Sequence, residues 1–70
     1  MIDGDDMVNA SEREVRKVLK RLRKEGWDEK SGKGSHKVFK KDGKRVIVPV
    51  SKDPIPIGTY RQIIKDAGWL

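Results

Sequence analysis

An α+β domain built from a helix, antiparallel strands and a second helix is the fold class that this sequence predicts, on three observations. An apolar period of helical type runs through Val15, Val18, Leu19 and Leu22, and another through Tyr60, Ile63, Ile64 and Ala67. Between them an Asp42-Gly43 pair separates two short runs of strand-forming residues. The length of 70 residues sets one domain as the ceiling. A chain of this size buries only about 60% of the surface that its unfolded form exposes, so the core is small.

The first ten residues, MIDGDDMVNA, carry three aspartates, no cation and no apolar period. They read as a disordered tail or a cloning remnant ahead of a single domain over 11–70, and their charge is the opposite of a signal peptide. Ser11 and Glu14 then stand at the spacing of a capping box, in which a hydroxyl and a carboxylate satisfy free backbone donors. The spacing predicts a helix from about Glu12. Its apolar stripe falls at i, i+3, i+4 and i+7, with Arg13, Arg16, Lys17, Lys20, Arg21, Arg23 and Lys24 around the rest. Gly26 suits the left-handed position past the helix end, and Trp27 lies back on Leu22 as the apolar partner of that cap.

Asp42-Gly43 fits a two-residue turn that needs positive φ and matches strand twist. With that turn Phe39 lies opposite Val46 on one face, and Val38 lies opposite Ile47 on the other. Pro49 has no N–H to donate and marks the end or edge of the second hairpin strand. The segment from Trp27 to Lys33 supplies a third strand beside the first strand of the hairpin. The second helix follows Pro54 and Pro56, opens at Gly58-Thr59 and ends, like the first, in a Gly-Trp pair at Gly68-Trp69. Both helices cover one sheet face, and the tryptophans complete the core and the caps.

Composition narrows the function classes. The chain has no cysteine, which removes disulfides and thiolate zinc sites, and its single histidine cannot make a His-rich metal site. No metal or cofactor is expected. No stretch approaches the roughly 20 apolar residues that span a bilayer, so a cytoplasmic protein without a membrane partner is expected. All 17 Lys and Arg follow residue 10, where only eight of the 11 acids lie. Such a field attracts polyanions, and nucleic acid is the commonest of these.

The histidine lies in SGKGSHKVFKK, residues 31–41. Glycines at Gly32 and Gly34 let backbone N–H groups approach a phosphate closely, with Lys33, Lys37, Lys40, Lys44 and Arg45 nearby. Imidazole exchanges a proton near neutral pH. RNA carries its own nucleophile in the ribose 2′-hydroxyl, so one histidine to move a proton and a few cations to stabilise the phosphorane suffice for cleavage. Asp42 is explained by its turn and Asp53 by preceding a proline. Ser35 is a poor nucleophile for His36, because adjacent side chains on a strand point to opposite faces. The residues by themselves leave two readings open: an RNA-cleaving site, or a non-catalytic RNA-binding module that uses the same basic surface.

Gly34-Ser35-His36 at a strand start, the Val-x-Val-Pro strand end at Val46 to Pro49, and Pro-x-Gly-Thr followed by an Ile-Ile helix ending at Gly68 together resemble the HicA family of small mRNA interferase toxins. The resemblance runs from about Ser11 to Leu70. It implies a double-stranded-RNA-binding-domain-like fold of three antiparallel strands with two helices on one face. It also implies a metal-independent endoribonuclease with His36 as the catalytic residue. Gly34 and Ser35 are then the loop that places the imidazole, and Lys33, Lys37 and Arg45 are candidate phosphate stabilisers. The implied partners are an mRNA substrate and a HicB-type antitoxin that covers the site, with Val38 and Ile47 as its contact. DNA enters only indirectly, through that antitoxin.

Overall fold

The computed structural model describes residues 11–69; the tail expected over 1–10 lies outside them. The elements follow in the order α1 (Val15–Lys24), β1 (Asp28–Ser31), β2 (His36–Lys41), β3 (Lys44–Pro49) and α2 (Ile57–Ala67). The strands form one antiparallel sheet in the order β1-β2-β3, so the third strand drawn from the Trp27 to Lys33 segment is present. The expected hairpin register holds, with Phe39 opposite Val46 and Val38 opposite Ile47. Asp42 (φ 51°) and Gly43 (φ 79°) are both left-handed, as a two-residue turn of the primed type demands.

Strand alternation assigns the faces. Phe39, Val46 and Val48 point to the covered side and are fully buried, together with Leu22 and Ile55. Val15, Val18 and Leu19 of α1, Tyr60 and Ile63 of α2, and Trp27 close the same core. Both helices therefore share one face. On the other face Ile47 is 43% exposed.

The start of α1 departs from expectation. The helix begins at Val15, not near Glu12, and Ser11 and Glu14 make no capping box. Their backbones form a turn, Glu14 N–H to Ser11 O at 3.3 Å, and the Glu14 carboxylate instead takes the Arg16 guanidinium at 2.9 Å. The cap comes from far along the chain: Asp53 Oδ1 accepts the Val15 N–H at 3.2 Å. The loop after β3 is tied to this spot, since the Ile55 N–H donates to Arg13 O at 2.8 Å and Arg13 Nη1 donates to Ile55 O at 2.8 Å. A carboxylate there satisfies one of the unpaired first-turn donors and complements the positive end of the helix. Asp53 thus has a structural role beyond preceding a proline.

The two helix ends are built alike. Trp27 N–H reaches Leu22 O at 3.1 Å and Trp69 N–H reaches Ile64 O at 2.8 Å, while Gly26 and Gly68 bond to Arg23 O and Lys65 O. These are paired Schellman closures. They also meet: Trp69 Nε1–H donates to Glu25 Oε1 at 2.7 Å, and the Arg21 guanidinium lies 4.1 Å over the Trp69 ring. Arg21 Nε donates to the second Glu25 oxygen at 3.2 Å. The hydrogen bond from Trp69, and next that from Arg21, hold the Glu25 carboxyl below the usual carboxylate range.

Candidate active-site groove

The loop between β1 and β2 is a tight structure. Gly32 N–H donates to His36 O at 2.8 Å, and His36 N–H donates to Lys33 O at 3.3 Å. A Cβ at residue 32 would meet His36 O at 2.9 Å and the Val38 side chain at 3.1 Å, so glycine there is required by the close approach of the two strands. The N–H of Gly32 is engaged within the hairpin and does not reach for an anion. Gly34, at φ +60° with open space around it, turns the chain over the loop. Ser35 O accepts the Val50 N–H at 2.8 Å, which extends the β2–β3 ladder by one bond beyond the His36–Pro49 pair. His36 is thereby fixed through both neighbouring strands.

Its ring is oriented as well. Nδ1 lies 3.3 Å from the Lys33 carbonyl. A carbonyl can only accept, so Nδ1 carries the proton and the lone pair of the neutral ring sits on Nε2. The imidazole is exposed and borders a groove of about 600 Å³ along the free edge of β3. The sheet wall is Arg45, Ile47 and Pro49; Lys52 closes the end beyond the strand; and Thr59, Gln62 and Asp66 of α2 form the opposite wall. Gln62 Nε2 donates to Asp66 Oδ1 at 2.9 Å.

Of the residues singled out in the sequence, His36 and Arg45 meet in this groove, at its two ends. Arg45 lies four positions along β3 from Pro49, the partner of His36, or about 13 Å of strand. Lys52 is much nearer the imidazole end, because a turn from Pro49 O to Lys52 N–H, 3.3 Å, folds it back. Gly34, Ser35 and Lys33 form the loop that carries His36 and do not line the groove.

Lys37 stands apart from the others. Its side chain is on the covered face, where Nζ binds Glu29 Oε2 at 2.9 Å beside the two bonds from Arg23 to the same carboxylate, 2.7 and 3.0 Å. Adjacent strand residues face opposite ways, so a residue next to His36 cannot share its groove. The same parity that sets Ser35 against His36 was available for Lys37. Lys52, Thr59, Gln62 and Asp66 carried no local signal, since only the path of the chain after Pro49 brings them to the groove.

Among the described residues no group of three or more His, Cys, Asp or Glu side chains is placed to hold a metal ion, and no helix is long and apolar enough to cross a membrane. A family model described as the HicA toxin of bacterial toxin–antitoxin systems matches residues 15–69. No curated protein matches the chain.

Proposed function

The chain belongs to the HicA toxin family of bacterial toxin–antitoxin systems, and from that premise we propose that it is a cytoplasmic endoribonuclease whose reacting group is His36. The observation that carries the reading is the imidazole itself: exposed, held through Nδ1 by the Lys33 carbonyl, and bordering a groove that Arg45 and Lys52 also line.

In this scheme His36 Nε2 removes the proton of a ribose 2′-hydroxyl. The oxygen attacks the adjacent phosphorus, the 5′-oxygen leaves with a proton from water or a lysine, and a 2′,3′-cyclic phosphate remains. Lys52, from the end of the groove where Pro49 pairs with His36, stabilises the added charge on the phosphorane, and Arg45 holds the backbone farther along the groove as a planar donor suited to phosphate. Lys33 adds charge from the loop, and Gly34 and Ser35 position His36. Lys37 has no part, being bound to Glu29 on the other face. A HicB-type antitoxin neutralises the toxin by covering the groove, with the exposed Ile47 and its cross-strand partner Val38 as the apolar centre of contact.

The deciding experiment mixes purified protein with a metal-free transcript. Cleavage is expected to leave cyclic phosphate ends, to stop at a 2′-deoxy substitution, and to fall about 10²-fold or more in His36→Ala, the usual lower range for loss of a general acid–base. Undiminished cleavage by the variant sinks the mechanism. Salt-sensitive binding without cleavage by either protein favours the non-catalytic RNA-binding module.

A further inference from the structure

The outer face of α1 has no part in the groove, and its charges fall into two sets. Arg16, Arg21 and Arg23 are each paired with a carboxylate: Glu14 at 2.9 Å, Glu25 at 3.2 Å and Glu29 at 2.7 Å. Lys17, Lys20 and Lys24 are in no ion pair among the described residues; Lys17 donates to the Ser11 hydroxyl and adds a longer-range attraction to Glu14. At about 100° per residue these three lysines fall within roughly a 60° arc, opposite the buried Val15, Val18, Leu19 and Leu22, and they span about 10.5 Å of helix axis. They border a shallow hollow together with Arg21 and Glu25.

We infer that this lysine stripe is a second RNA-binding surface, which holds the phosphate backbone flanking the cleaved segment. The inference rests on the reading of the chain as a protein that acts on RNA. A protein partner fits this surface poorly. All four apolar residues of α1 are buried, whereas protein interfaces form around an apolar centre and are depleted in lysine. Flexible ammonium groups also suit a backbone more than base edges, so the stripe adds affinity without sequence preference. α1 packs on the sheet face opposite the open one, so RNA on the stripe is not the phosphate at His36. It is a flank that tethers a long substrate.

The test uses the full chain. In a His36→Ala background, Lys17→Gln/Lys20→Gln/Lys24→Gln is compared with its parent for binding a transcript of several tens of nucleotides across a salt series. The slope of log K against log salt is expected to fall by about 2, since each phosphate contact on a single strand contributes roughly 0.7. Lys20→Gln alone is expected to lower it by about 0.7. With His36 intact, the triple variant is expected to raise KM for the transcript at unchanged kcat and to leave cleavage of a tetranucleotide unaltered. An unchanged slope overturns the inference, as does weakened binding of the antitoxin with RNA affinity retained. If the chain with His36 intact does not cut RNA but the slope still falls, the catalytic reading fails and the stripe stands.

Discussion

Asp53 caps the first turn of α1 through the Val15 N–H at 3.2 Å, across 38 residues of chain. The loop that follows the groove-lining strand thus fixes where the first helix starts. Asp53→Ala is expected to cost about 1 kcal/mol, the typical loss for a helix cap. Ser11→Ala, at the locally expected capping position, should change stability by less than about 0.5 kcal/mol. Urea denaturation of the two variants compares them directly, and equal losses would place the cap back at Ser11.

Removal of the groove cations separates the two sheet faces. Lys52→Ala and Arg45→Ala should each lower RNA cleavage by about 10-fold or more, on the scale of a lost charge-assisted hydrogen bond. Lys37→Ala should reduce it less than either, its charge being committed to Glu29. Single-turnover rates on one transcript provide the ranking; Lys37→Ala as the most damaging of the three would contradict the assigned faces.

Acid sensitivity has a named contributor. Hydrogen bonds from Arg23, and next from Lys37, draw the Glu29 carboxyl from its ordinary 4.5 down to about 2. A carboxylate depressed in the folded state adds stability that is fully present above its unfolded value and is lost as pH falls toward the folded one. Thermal midpoints are therefore expected to decline between pH 4.5 and about 2, and Glu29→Gln should flatten that decline. An identical slope in both proteins would assign the acid sensitivity elsewhere.

The meeting of the two helix ends is testable at Trp69. Trp69→Phe keeps a ring under Arg21 but removes the Nε1–H bond to Glu25, with an expected loss of about 1 kcal/mol. Trp69→Ala removes both contacts and should cost more. Chemical denaturation gives the two values, and equal losses would leave the ring–guanidinium contact without energetic weight.

Much of this molecule was legible in its residues because the relevant forces are local. Asp42-Gly43 takes the two positive φ values of a primed turn, and that alone sets Phe39 against Val46 and turns His36 to the open face. The apolar periods of α1 and α2 give their buried stripes, and each Gly-Trp pair closes its helix within five residues. The ordered set of short motifs carried the family. The start of α1 was not legible: Ser11 and Glu14 had the right local spacing, but a loop anchored by Ile55 and Arg13 delivers Asp53 to Val15 instead. The far wall of the groove was equally hidden. Lys52, Thr59, Gln62 and Asp66 join His36 in lining the groove only because the chain folds back after Pro49 and α2 packs along β3. Local dihedral and periodic preferences act within a few residues and can be read in order, whereas contacts closed by long loops depend on how whole elements bury their apolar faces together.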